Sequence, residues 1–337
     1  MAKVTIDGVR YELLKRTFTA RVDAVEREYK NMKSYTIPEE VTADGDTYRV
    51  TLIGAKAFNN CPLLEEIIIP DSVTEIESSE SVGDTYYYAF HNCTSLKSIT
   101  LPNKLTKIGD SAFKGCTGLT SITIPNSVTK LGGFDGCTGL TSITIPNSVT
   151  KLYGFNGCTG LTSITIPSSV TYLGGFNRCT GLTSITIPNS VTTLYGFDGC
   201  TGLTSVSIPN SVKTLGYYVF KDYTGLTSIT IPSSATRLDW AFRNCSNLTL
   251  VIIENEEGAV KIGEYAFKDT NAKITYVGKP KDGAEKIVRI MVEVPTLLAL
   301  LEGKASEQEL QTLCLRVKDA GGDATEMEKR LKKYISK

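Results

Sequence analysis

From Leu119 to Thr224 the apolar positions follow two periods at once. Locally they alternate, as Leu119-x-x-Ile122-x-Ile124, and the whole phrase then restarts at Leu140, Leu161, Leu182 and Leu203, a step of 21 residues each time. Alternation puts Ile122 and Ile124 on one face of a strand and turns Thr120, Ser121 and Thr123 outward. Pro125 ends the strand because it has no backbone N–H to donate, and Asn126-Ser127 supplies turn chemistry. Val128 and Leu131 return to the core, Phe134 and Cys137 close the convex side, and Thr117-Gly118 is the small re-entry into the next strand. One such coil buries too little apolar surface to offset the ordering of its backbone, so coils must stack and share their apolar layers. The expected fold is a β-rich solenoid.

The same register extends beyond the clean repeats. Strands are expected to begin at Met32, Leu64, Leu96, Leu119, Leu140, Leu161, Leu182, Leu203, Leu226 and Leu248, with a degenerate one near 272–277, giving ten or eleven coils. Two steps of 32 residues hold insertions, Thr42 to Arg49 and Ser78 to Tyr87. Ahead of the array, Val4 to Leu13 alternates around Asp7-Gly8, a hairpin signal, and Phe18 to Val22 offers a third strand. An open stack exposes a raw apolar layer, so residues 1–31 read as an N-terminal β-hairpin cap and 32–279 as the repeat array. Residues 280–337 change character. Lys286 to Val294 alternates as a strand, and Ser306 with Glu309 forms a capping box for a helix carrying Leu310, Leu313 and Val317. A further helix over Thr325 to Tyr334 aligns Met327, Leu331 and Tyr334, so this C-terminal strand plus helical module is either a cap or a docking element.

The longer coils carry a second signature. Thr106-Lys107-Ile108-Gly109-Asp110-Ser111-Ala112-Phe113-Lys114-Gly115-Cys116, and likewise Ile53-Gly54-Ala55-Lys56-Ala57-Phe58-Asn59-Asn60-Cys61, resemble the unit of the BspA-like leucine-rich repeat family. The resemblance runs from about Met32 to Val277. It implies a curved leucine-rich-repeat solenoid with a parallel concave sheet, of a kind often found on secreted or surface proteins that bind other proteins. The central coils, such as Leu131-Gly132-Gly133-Phe134, are two residues shorter than that unit, which should tighten their convex side.

Charge and chemistry change this picture little. Lys and Arg total 36 and Asp and Glu total 36, so nothing predicts general attraction to nucleic acid or to an anionic membrane. No apolar run reaches the roughly 18 residues of a spanning helix, and Met1 to Ala20 lacks a signal-type apolar block, which points to the cytoplasm, or to the surface if Met1 replaces an export signal. Cys61, Cys93, Cys116, Cys137, Cys158, Cys179, Cys200 and Cys245 recur once per coil, with Tyr223 where another is due. Zinc sites want closely spaced cysteine pairs, and neighbours about 4.8 Å apart with parallel side chains are poorly placed for disulfides, so these read as buried reduced thiols. His91 sits where other coils carry Asn59, Lys114 or Arg243, which argues for a solvent-facing polar position. No catalytic motif is present, and no cofactor or metal is implied.

Identical uncharged rungs offer a partner little to recognise, so specific contacts are expected where the repeat breaks. The candidates are Tyr86, Tyr87 and Tyr217, then Tyr153, Tyr172, Arg178 and Tyr195, with Met327, Leu331 and Tyr334 in the C-terminal module. The expectation is a nonenzymatic, monomeric protein-protein interaction scaffold without membrane insertion and with nucleic acid an unlikely direct ligand. An exported cell-surface adhesin and an intracellular inhibitor that sterically blocks a larger enzyme are the alternatives.

Overall fold

The computed structural model describes residues 2–82, 84–255 and 258–276. The expected C-terminal module, with Met327, Leu331 and Tyr334, lies outside the described residues.

The chain opens with the expected hairpin. Strands β1 (Ala2–Ile6) and β2 (Val9–Leu14) pair antiparallel, and both turn residues take positive φ, Asp7 at 47° and Gly8 at 75°, as a two-residue turn between twisted strands requires. β3 (Thr19–Val25) adds to β2. After a short 3-10 turn at Arg27–Tyr29 comes β4 (Ser34–Thr36), the first rung of the array. The first insertion is a hairpin, with β5 (Glu40–Ala43) and β6 (Asp46–Ile53) joined through Asp44-Gly45. Because β6 runs parallel to β3 and then to Glu75–Ile76, cap and array share one sheet.

Charge fastens that junction. Arg21 donates to Glu12 (3.1 Å), Glu77 (2.6 Å) and Glu80 (3.1 Å), while Asp23 accepts from Lys3 and Arg10, each at 2.8 Å. Glu77 also takes the backbone N–H of Ala55 at 3.0 Å. The network ties β2, β3 and the second insertion together.

The coils present two edges, a Ser-Ile-Thr edge and a Lys-Leu edge, on which short strand segments form. The Ser-Ile-Thr edge forms parallel ladders among β4, Glu66–Ile68 and Ser98–Thr100, between Ser121–Thr123 and Ser142–Thr144, and among Ser228–Ile231, Leu250–Ile253 and Lys273–Tyr276. The expectation of this ladder in every coil is corrected for those starting at Leu161, Leu182 and Leu203, where no strand is formed on that edge. Ser163-Ile164-Thr165 has the same residues as the paired Ser142-Ile143-Thr144, so local propensity is not the cause and the stacking of neighbouring coils decides. In these coils the continuous ladder is on the other edge: Lys130–Leu131, Lys151–Leu152, Tyr172–Leu173, Thr193–Leu194 and Thr214–Leu215 form one five-stranded parallel sheet.

Inside, each coil contributes a layer of large side chains. Phe58, Phe90, Phe113, Phe134, Phe155, Phe176, Phe197, Phe220 and Phe242 are fully buried. Their rings stack along the array, with centroids 5.3 Å apart from Phe134 to Phe155 and again from Phe155 to Phe176. The thiols lie beside them, free and buried as expected, and the Cys158 Sγ–H donates to the Phe134 carbonyl of the preceding coil at 3.1 Å.

Candidate partner-binding surface

The Lys-Leu edge is interrupted at two places, and both interruptions change what the surface offers. Within the five-stranded sheet the residue after each strand donates to the coil before: Tyr153 to Leu131 (2.9 Å), Tyr195 to Leu173 (3.1 Å) and Gly216 to Leu194 (2.8 Å). Beyond it Gly263 repeats the bond to Leu238 (2.8 Å), but Asp239 makes no such bond to Leu215. The strands at Lys107–Ile108 and Lys130–Leu131 likewise do not pair with each other, each belonging to a different sheet. Both breaks fall where the step is 23 residues, Ile108 to Leu131 and Leu215 to Leu238, at the borders of the 21-residue coils.

Side chains close the first break. Tyr153 donates its phenol to Asp110 at 2.5 Å, and Lys130 lies 3.7 Å from Asp110 and 5.0 Å over the Tyr153 ring. Burial pushes the Tyr153 phenol up, and its bond to the Asp110 carboxylate pushes it further. The second break is open. A groove of about 250 Å³ lies there, lined by Lys213, Thr214, Tyr217, Thr236, Arg237 and Asp239. Tyr217, at 65% exposure, stands at its edge.

Three of the expected tyrosines come together next to this ladder. Tyr172, on the strand itself, packs against Tyr195 with ring centroids 4.8 Å apart, and both are half-buried like Tyr153. Their shape depends on a large-small alternation: a Cβ on Gly174 would stand 2.3 Å from the Tyr195 ring, and one on Gly132 would stand 2.6 Å from that of Tyr153. The Tyr153 and Tyr195 rings therefore each lie against the glycine one coil before them.

A second aromatic row begins beside Tyr217. Tyr218 lies 5.4 Å from Trp240, and Trp240 stacks on Tyr265 at 4.3 Å. Lys221, Arg243 and Lys268 sit over the three rings at 5.7, 5.3 and 5.3 Å. Tyr218 and Trp240 hold φ of 59° and 57°, the left-handed turn that Ser111 also takes, at 63°, two residues before Phe113, so the coil geometry sets this backbone even though bulky side chains rarely adopt it. Sequence reasoning missed Trp240 and Tyr265. The signal was there, since Tyr218, Trp240 and Tyr265 each stand two residues before the stacked Phe220, Phe242 and Phe267.

The remaining candidates are scattered. The second insertion is a hairpin, Glu80–Val82 with Thr85–Tyr87, where Tyr86 is 62% exposed and Tyr87 lies under Lys56. Arg178 is exposed at a turn with φ 59°. His91 is half-buried, edge-on to Tyr88 at 5.7 Å, rather than fully solvent-facing. Burial and Lys114 lower its pKa, and it borders an open groove of about 470 Å³ with Asn92, Lys114, Asp135 and Asn156. Among the described residues no group of His, Cys, Asp and Glu could hold a metal, and no helix is long and apolar enough to cross a membrane.

Two edges of short parallel strands around a stacked phenylalanine core define a leucine-rich-repeat solenoid. More specifically, the chain belongs to the BspA type leucine rich repeat region family, whose pattern matches six copies over residues 27–81, 84–195 and 174–283. Members of this family are generally nonenzymatic and serve as protein-interaction or surface-associated repeats. Among solved structures, the chain is similar to a leucine-rich repeat protein from Bacteroides ovatus, with 26% identity over 81% of this chain and 99% of that one and a TM-score of 0.44. It is also similar to a leucine rich cell surface protein from Faecalibacterium prausnitzii, with 28% identity, 83% and 96% coverage and a TM-score of 0.45. The pneumococcal vaccine antigen PcpA matches at 18% identity, 82% and 94% coverage and a TM-score of 0.41. None of the curated proteins searched matches this chain.

Proposed function

We propose that this protein is a nonenzymatic scaffold that holds a protein partner through the aromatic surface running from Tyr217 and Tyr218 to Trp240 and Tyr265. The observation that carries this reading is the exposure of Tyr217 (65%) and Tyr218 (38%) beside the unclosed break in the Lys-Leu edge. Large aromatic side chains contribute most of the binding energy at many interfaces, and Tyr and Trp do so with few torsions to freeze. Tyr218 packs on Trp240 and Trp240 on Tyr265, so these rings meet a partner already ordered by one another.

The test compares the intact protein with a Tyr217→Ala, Trp240→Ala double variant in pull-downs from the source cell, after thermal melts establish that both are folded. A stoichiometric partner held by the intact protein and weakened about 30-fold or more by the double change supports the reading, since truncating an interface anchor costs roughly 2 kcal/mol or more. A partner retained equally by both proteins overturns it.

A further inference from the structure

The chain is neutral overall, but its charge is sorted by face. From Leu119 to Pro232 the charged residues are Lys130, Asp135, Lys151, Arg178, Asp198, Lys213, Lys221 and Asp222. The fold divides them. Asp135, Arg178, Asp198, Lys221 and Asp222 fall on the turns around the phenylalanine stack, where both signs mix and Lys221 pairs with Asp222 at 2.9 Å. Lys130, Lys151 and Lys213 fall on or directly before the strands of the Lys-Leu edge, all three exposed, and no carboxylate of these coils accompanies them. The Ser-Ile-Thr edge of the same coils carries no charge at all.

Just outside the block the same face continues with Lys107, Arg237 and Lys261. Lys107 is taken up by Glu75 and Arg237 by Asp239, and Lys130 shares Asp110 with Tyr153 at 3.7 Å, while Lys151, Lys213 and Lys261 have no carboxylate partner among the described residues. Between the lysines stand Tyr153, Tyr172, Tyr195 and Tyr217, and the groove beside Lys213 and Arg237 opens on this face. The platform beneath is rigid. Besides the strand pairing, Thr150, Thr171 and Thr192 each donate a hydroxyl to the threonine carbonyl of the preceding coil, at 3.3, 3.3 and 3.2 Å.

We infer that the Lys-Leu edge is a docking face for an extended, acidic polypeptide segment lying along the ladder, its carboxylates set against Lys130, Lys151 and Lys213 and its apolar side chains against the tyrosines. Charge complementarity carries the sign of the partner, and charge density carries its class. At about 4.8 Å per rung, the five strands span roughly 19 Å and offer three lysines. A nucleic-acid strand carries a charge about every 3.4 Å, roughly five or six over this span, so about half of its charge would go unmatched on a face that offers three lysines with tyrosines between them. A polypeptide with spaced carboxylates and apolar residues between them uses both. This inference rests on the protein-binding reading and names the chemistry of the partner, on a neighbouring face that shares Tyr217.

The experiment uses the full chain and a labelled peptide of alternating Glu and Val, about 12 residues long so that at some 3.3 Å per residue it outreaches the ladder. Probes of alternating Lys and Val, a heparin fragment and an oligodeoxythymidine are measured alongside by fluorescence anisotropy. The acidic peptide is expected to bind with an affinity that falls as salt rises, and the Lys130→Glu, Lys151→Glu, Lys213→Glu triple variant should lose at least tenfold while a thermal melt shows that it remains folded. Arg178→Glu, on the turn face, should leave binding as it is. Equal binding of acidic and basic peptides, tighter binding of heparin or oligonucleotide, or indifference of the acidic peptide to the triple change each overturns the inference. A natural partner lost with Tyr217→Ala, Trp240→Ala but held by the triple lysine variant would sink this inference and leave the protein-binding reading standing.

Discussion

The thiol of Cys158 donates to the carbonyl of Phe134, one coil earlier, at 3.1 Å. The same carbonyl already accepts the backbone N–H of Cys137 at 3.0 Å, so the thiol fills its second lone pair. The relationship recurs along the array, from Cys93 with Phe58 to Cys245 with Phe220. A thiol is thus both a small apolar filler and a weak rung of hydrogen bonding between coils, which explains why the position prefers Cys to Ala. Changing Cys158 to Ala should cost about 1–2 kcal/mol, the sum of a small void and a weak bond, with no carbonyl orphaned. Urea denaturation of the variant against the parent measures it. A cost indistinguishable from zero would remove the thiol from the account of stability.

Burial raises the pKa of the Cys61, Cys137, Cys179 and Cys200 thiols to about 12. The thiolate is the nucleophile, so at pH 8 the folded chain should react with a thiol reagent such as dithionitrobenzoate far more slowly than the chain in denaturant. Counting fast-reacting thiols in the native protein tests this. Rapid native reaction of the ladder cysteines would show that the coils open readily.

Tyr223 stands in the cysteine column, fully buried against Phe220 at 5.8 Å, and its phenol oxygen has no hydrogen-bond partner among the described residues. An unpaired buried hydroxyl costs free energy, so Tyr223→Phe should leave stability unchanged or raise it by about 1 kcal/mol. Thermal melts decide. A clear loss of stability would mean that the hydroxyl has a partner after all.

Gly154 holds φ 76°, and a Cβ there would stand 2.5 Å from the backbone nitrogen of Gly133, whereas Gly45, at φ 84°, has open space around it. Both replacements by Ala impose left-handed strain of about 1 kcal/mol, but only Gly154→Ala adds a collision with the neighbouring coil. Gly154→Ala should therefore destabilise clearly more than Gly45→Ala. Equal losses would show that the coils spread to admit a methyl group.

Acid should loosen the cap first. Burial raises the Asp23 pKa, but the bonds from Lys3 and Arg10 outweigh it and hold it below the usual carboxylate range; Glu80 is held low by Lys56 and Arg21. Groups whose folded pKa is depressed contribute stability above their unfolded values, near 4, and that contribution is lost as pH falls through the folded pKa. Hydrogen exchange at Tyr11 and Val22, corrected for intrinsic rates, should lose protection below about pH 4 while Leu152 and Leu173 keep theirs. Simultaneous loss at all four would mean that the network is not the weak point.

The sequence by itself determined the coil. The alternation at Ile122 and Ile124, the strand stop at Pro125 and the recurring Phe and Cys are local chemistry repeated, and the buried layers follow that register from Leu64 to Leu248. The first hairpin was legible at Asp7-Gly8 for the same reason. Only the tertiary structure decided how the coils meet. Ser142-Ile143-Thr144 pairs and the identical Ser163-Ile164-Thr165 does not, although both follow the same 21-residue step, so the difference lies in how neighbouring coils are set against each other and not in the local sequence. The partnership of Tyr153 with Asp110, 43 positions away, and the gathering of Lys130, Lys151 and Lys213 on one face likewise exist only once the stack has formed. A near-neutral composition concealed that gathering, since a sum of charges carries no information about the side of the molecule on which each one lies.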